Sequence, residues 1–255
     1  MGDRRRFEGR SVFITGAGSG IGEATAHAFA EEGAKVMIAE LDPAKGEAVR
    51  DAIRAHGGTA LFVATDATDE ASVKAAIAAA NEAHGPIVHA FNNIGMSRPG
   101  SIEEMSLEDW NWTISISLTS TFLAMKYEIP VMRANGGGTI VNTASMAARL
   151  YTPSAPCSYA AAKAGVIHLS HHASCAYADD NIRVNSVLPG LTATPQIASM
   201  FTAEEQAEIA GENQVIRRAV APREIANVVL FLSSDEASMI TGRGIEVSGG
   251  RRHGS

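Results

Sequence analysis

Apolar residues recur along this chain in two rhythms. Short runs that are apolar almost throughout stand at 12–14, 36–39, 59–65, 87–91, 139–143, 182–188 and 245–247. Runs of that length and character predict strands buried on both faces. Between them lie longer stretches at 23–32, 44–56, 69–84, 106–133, 157–178 and 222–233 that predict helices, with Gly33 and Gly57-Gly58 as stops. The stretches 23–32 and 69–84 are rich in alanine, the strongest helix former. Residues 191–213, which contain Met200 and Phe201, predict a mobile helical excursion. Strand and helix alternate with short connections. That order predicts an α/β chain with a doubly wound parallel sheet of about seven strands, helices on both faces, and a single domain over residues 1–255.

Composition narrows the picture. The 255 residues are 45% hydrophobic and 19% charged, with a formal charge of -7. These values suit a soluble globular protein and argue against nucleic acid as the main partner. Cys157 and Cys175 show no metal-ligand spacing and are expected to be free thiols in a reducing compartment. No signal-peptide run or membrane span is apparent, so the expected location is cytoplasmic, with no membrane partner. His168 and His172 share a helix face, with His171 beside them, but no third ligand is evident and no metal is expected.

The candidate chemistry begins at Thr15-Gly16-Ala17-Gly18-Ser19-Gly20-Ile21-Gly22, between the first strand and the first helix. No frame of it reads Gly-x-Gly-x-x-Gly. The strand, glycine loop and helix nevertheless form the layout in which close backbone and free helix amides hold phosphates. Glu40 ends the second strand 20 residues after Gly20, where an acid would meet an adenosine ribose. Asp42, before Pro43, reads as a helix cap. An acid at the ribose repels a 2′-phosphate, and no Arg or Lys lies between Gly16 and Gly22, so the expected cofactor is NAD. Asp66 could accept from the adenine amino group or cap the helix beginning near Asp69. Asn92-Asn93-Ile94-Gly95 reads as a turn at the carboxyl edge of the sheet. Tyr159 and Lys163, separated only by alanines, share a helical face with Cβ atoms about 5–6 Å apart. A cation beside a phenol lowers its pKa and makes an acid/base centre.

Taken in order, these pieces resemble the short-chain dehydrogenase/reductase family in its classical form, over roughly residues 11–250. The residues that carry the resemblance are the Thr15 to Gly22 loop, Asn92 to Gly95, Ser145, Tyr159 with Lys163, and Pro189-Gly190. The resemblance implies a Rossmann-like fold in which Tyr159 is the general acid/base. Ser145 would hold the substrate oxygen, and Lys163 would bind the nicotinamide ribose and lower the phenol. It implies cofactor contacts at Gly16, Ser19, Gly20, Ile21, Glu40, Leu41, Asp66, Ala67, Asn93, Gly95, Pro189, Gly190, Thr192 and Thr194. Ser117 stands where the family carries a catalytic Asn, at a helix irregularity whose carbonyl holds a water against the lysine. The water site is expected to be kept by the backbone. Met96, Met146, Tyr151, Met200 and Phe201 are the nominated substrate lining, apolar and without an Arg cluster. The expected reaction interconverts a hydrophobic secondary alcohol, alicyclic or steroid-like, and its ketone. An NADPH-dependent 3-oxoacyl thioester reductase and a non-catalytic NAD-binding sensor are the alternatives. A homotetramer or homodimer is implied by resemblance alone.

Overall fold

The computed structural model describes residues 5–152 and 154–250. Its sheet is formed by β1 (Ser11–Thr15), β2 (Lys35–Glu40), β3 (Thr59–Ala64), β4 (Ile87–Asn92), β5 (Gly138–Thr143), β6 (Ile182–Pro189) and β7 (Gly244–Val247). The order is β3-β2-β1-β4-β5-β6-β7, and every pairing is parallel. The helices are α1 (Gly20–Glu31), α2 (Pro43–Ala55), α3 (Glu70–His84), α4 (Leu107–Ile114), α5 (Ser120–Ala134), α6 (Cys157–Ala176), α7 (Pro195–Ala198), α8 (Ala203–Asn213) and α9 (Pro222–Ser233). Side chains alternate across each strand. On one face Val12, Ile14, Val36 and Ile38 pack with Phe29 of α1, Val49 of α2 and Val229 of α9. On the other, Phe13, Met37 and Ile140 pack with Ile77 of α3, Ile129 of α5 and Ala173 of α6. Strand order reverses between β1 and β4, which opens a crevice beyond their carboxyl ends.

Local chemistry accounts for the element ends. Asp42 caps α2, accepting from Ala44 N at 3.0 Å, with Pro43 at the first position. Asp69 caps α3, accepting from Ser72 N at 3.0 Å. Thr202 and Glu205 close a capping box on α8.

Several expected boundaries shift. α1 begins at Gly20, so the glycine loop runs straight into the free amides of the helix. The stretch 106–133 is not one α-helix: a π-helical turn, Ser115–Thr119, separates α4 from α5. Residues 191–213 divide into α7 and α8. Asn92 belongs to β4 and is buried in the core, so the expected turn starts one residue later. Among the described residues no helix is long and apolar enough to cross a membrane.

Candidate active site

The loop after β1 leaves no room for larger residues. Gly16 has φ +63°, and a Cβ on Gly22 would lie 2.0 Å from the Gly16 carbonyl oxygen. Gly18 is pressed against Glu40, whose Cγ would sit 2.7 Å from a Cβ there. The Glu40 carboxylate accepts from Gly18 N at 3.0 Å, and from Leu41 N and Asp42 N at 2.9 and 3.2 Å. Glu40 thus crosses from the end of β2 to the loop, at the place where a ribose beside a loop-bound phosphate would lie. Asp66 is not a helix cap, because Asp69 holds that role; its Oδ1 accepts from Thr68 N and Thr68 Oγ1 at 2.8 and 2.7 Å. Ala67 beside it is buried, and Leu41 is exposed.

The other nominated cofactor residues close the same crevice. Asn93 N donates to Thr15 Oγ1 at 3.1 Å and its Nδ2 to Gly16 O at 3.3 Å, which ties β4 to the loop. Gly95 lies under the lysine: a Cβ there would be 2.6 Å from Lys163 Nζ. Gly190 passes tightly against Ser248, 2.9 Å from its Cα to a would-be Cβ. Thr192 Oγ1 donates back to Gly190 O at 3.0 Å, so its side chain is turned to its own backbone. Thr194 caps α7 and lies over the loop, its Cγ2 3.2 Å from a Cβ placed on Gly20. These cradles fit a dinucleotide: backbone amides and the start of α1 for phosphates, and a carboxylate for ribose hydroxyls.

The catalytic candidates converge from three elements. Ser145 follows β5, and its Oγ accepts from Ala147 N at 3.2 Å. The Ser145 side chain pulls the Tyr159 phenol pKa down, but burial outweighs this and pushes the phenol above its ordinary value. The lowering by Lys163 expected from the i,i+4 pair is therefore not produced by the protein groups alone. Lys163 is fully buried. Its Nζ donates to Thr143 O at 2.7 Å and Ile94 O at 3.1 Å, and lies 5.8 Å from the Tyr159 ring centroid. Burial pushes its ammonium down to about 7.

Ser117 sits in the π-helical turn, fully buried. Its Oγ donates to Met96 O at 2.6 Å and accepts from Met96 N at 3.0 Å. The helix irregularity implied by the resemblance is present, but the hydroxyl is committed to the β4–α4 segment. Ser117→Ala leaves both Met96 groups unpaired. The expected result is a loss of about 1–3 kcal/mol of stability, read from the urea midpoint, with kcat changed by less than about tenfold.

The nominated substrate lining is unevenly exposed. Met96, Tyr151 and Met200 are exposed, and Phe201 is half-buried, its N donating to Ile197 O at 2.9 Å. Met146 packs with the Ala144, Val166 and Leu188 cluster, so it belongs in part to the core. Nearby, an open groove of about 540 Å³ is lined by Ile102, Met105, Ser106, Leu107, Trp110 and Cys157. Cys157, two residues before Tyr159, brings its Sγ to 3.9 Å from Met105 Sδ. The signal for this groove was Ile102, Met105 and Leu107 in a segment that follows Pro99-Gly100 and is neither strand nor helix up to Leu107.

A family model described as enoyl-(acyl carrier protein) reductase matches residues 16–252. The chain is 39% identical to 2,5-dichloro-2,5-cyclohexadiene-1,4-diol dehydrogenase of Sphingobium indicum, covering 96% of this chain and 97% of that one. It is 40% identical to the cyclohexanol dehydrogenase of an Acinetobacter species, over 96% and 95% of the two chains. The chain belongs to the short-chain dehydrogenase/reductase family. Among solved structures, 7α-hydroxysteroid dehydrogenase complexed with NADH and 7-oxo glycochenodeoxycholic acid superimposes with a TM-score of 0.92 at 34% identity, covering 98% of this chain and 96% of that one. As a short-chain dehydrogenase/reductase, the protein is an oxidoreductase.

Proposed function

We propose that this short-chain dehydrogenase/reductase interconverts a hydrophobic cyclic secondary alcohol and its ketone with NAD. The observation that carries the reading is the joint placement of Ser145, Tyr159 and Lys163 at the carboxyl edge, one crevice away from Glu40 at the glycine loop. Relatives named for cyclohexanol and cyclohexadiene-diol oxidation support the substrate class. When bound, the nicotinamide supplies the hydride acceptor for the carbinol carbon. Tyr159 takes the proton from the alcohol oxygen as hydride leaves, and returns it in the reduction. Ser145, whose side chain acts on the phenol, turns its hydroxyl to the same oxygen and holds it in line. Lys163, fixed by Ile94 O and Thr143 O, holds a ribose hydroxyl at the floor of the site. Residues 191–213, which start over the glycine loop at Thr194 and carry Met200 and Phe201 outward, form a mobile cover that closes on the substrate. A panel of cyclic secondary alcohols with NAD or NADP, followed at the reduced-nicotinamide absorbance, tests the reading. Turnover of cyclohexanol-type alcohols with NAD is expected. Efficient NADPH-dependent reduction of 3-oxoacyl thioesters without alcohol oxidation overturns it.

A further inference from the structure

Just beneath the carboxyl edge, the sheet carries a polar row. Thr15, Asn92, Asn142 and Ser186 pair in register across β1, β4, β5 and β6, and all are buried. Asn92 Nδ2 donates to Asn142 Oδ1 at 3.0 Å, Asn142 Nδ2 to Ser170 Oγ of α6 at 2.9 Å, and Ser170 Oγ to Val166 O at 2.7 Å. Against this network α5 places Glu128, with 0% of its surface exposed. Glu128 Oε2 accepts from Asn92 Nδ2 at 3.0 Å.

Among the described residues no cation answers that carboxyl. Charged groups of the surrounding elements are engaged elsewhere. Lys126 and Tyr127 of α5 bind Glu70 of α3, and Lys74 also acts on Glu70. Arg133 binds Asp180 and lies over Tyr177, the cap residue of α6. His89 of β4 bonds Thr139, and Lys163 of α6 holds two carbonyls. A buried carboxylate without a cation takes up a proton rather than stay charged. Two oxygens of the network have no hydrogen-bond partner: Glu128 Oε1 and Asn92 Oδ1. One proton satisfies both.

We propose that Glu128 is held as a neutral carboxylic acid paired with the Asn92 carboxamide, Oε2 accepting from Nδ2 and the Oε1 hydroxyl donating to Oδ1, and that this pair is a positioning element for the catalytic shelf. The shelf is the next residue along each strand. Asn93 follows Asn92, and Thr143 follows Asn142. Thr143 Oγ1 donates to Asn93 Oδ1 at 3.1 Å, and Thr143 O accepts from Lys163 Nζ. Burial pushes the Glu128 carboxyl up to about 8, consistent with a proton retained at neutral pH.

The raised value sets the direction of the pH effect. The unfolded carboxyl loses its proton near 4.5, whereas the folded one keeps it to about 8. Stability therefore falls as pH rises between those values and levels off above them. Gln makes the same pair through its amide and cannot ionise. The test compares the full-length wild type with Glu128→Gln and Glu128→Ala. The wild type minus Glu128→Gln infrared difference at pH 7 is expected to show the carbonyl band of a protonated carboxylic acid. The Tm advantage of Glu128→Gln is expected to widen from about pH 5 to pH 8 and then hold. In cyclohexanol oxidation, Glu128→Ala is expected to lose more than about tenfold in kcat/KM, with Glu128→Gln restoring it. A missing carboxylic acid band, or a Tm gap flat in pH, overturns the neutral pair. Wild-type kcat/KM in Glu128→Ala overturns the positioning role. Only the kinetic comparison rests on the proposed function; if the wild type does not oxidise the alcohol, that reading fails and the infrared and Tm measurements still decide the state of Glu128.

Discussion

Replacing Tyr159 with Phe is expected to lower kcat by about 10²–10⁴-fold, the usual contribution of a positioned general acid/base. Tm and NAD affinity should stay near those of the wild type. The ring keeps its packing, and the exchange removes only the phenol oxygen on which the Ser145 side chain acts. The pH profile distinguishes this role from a structural one. Burial holds the phenol in its neutral form, so alcohol oxidation, which needs the phenolate, is expected to rise with pH, and ketone reduction, which needs the phenol, to fall. The Tyr159→Phe residual rate should lack both limbs. Ser145→Ala removes the side chain that pulls the phenol down, so its oxidation limb should move to higher pH. A Tyr159→Phe enzyme with more than half the wild-type kcat would sink the assignment. So would a mutant that keeps the wild-type pH dependence.

How much of the molecule is legible before folding depends on how local each cause is. The strands are legible because both faces of a parallel sheet are covered, so β1, with all five residues buried, carries the consecutive apolar residues Val12, Phe13 and Ile14. The glycine loop is legible because the space above Gly18 and Gly22 admits no Cβ, and that requirement is written as glycine. Tyr159 and Lys163 are legible because helical spacing puts them on one face. Non-local causes stay hidden. Two asparagines after a strand look like turn chemistry, but the β4–β5 register sets Asn92 opposite Asn142 and draws it into the core. The π-helical turn adds no residue type that could reveal it. The partner of Ser117, the backbone of Met96, is 21 positions away. Spacing alone does not show how burial acts on Tyr159, which raises its phenol, or that Lys163 is held by the Ile94 and Thr143 carbonyls. Asp66 and Asp69 cannot be ranked as caps until Ser72 N is seen on Asp69.

Glu40 is expected to set an NAD preference over NADP of about 10²–10³-fold in kcat/KM. A 2′-phosphate beside its carboxylate meets like-charge repulsion of several kcal/mol. The geometry also forecasts the effect of removing the carboxylate. Gly18 N, Leu41 N and Asp42 N all donate to Glu40, so their N–H groups converge on one spot. In Glu40→Ala those amides lose their acceptor and form a small anion-binding concavity of the kind that holds phosphate. No lysine or arginine between Gly16 and Gly22 adds to it. Glu40→Ala is therefore expected to lower kcat/KM for NAD and raise it for NADP, moving the ratio by about 10²-fold or more. Asp42 provides the control, because it lies two residues away but accepts from Ala44 N and Lys45 N at the start of α2. Asp42→Ala should lower Tm through the lost cap while leaving the NAD to NADP ratio unchanged. Steady-state kinetics with both cofactors on the two variants separates the cases. An unaltered ratio in Glu40→Ala, or an altered one in Asp42→Ala, would move the ribose acid from Glu40 to another residue. Equal use of the two cofactors by the wild type would remove the repulsion argument itself.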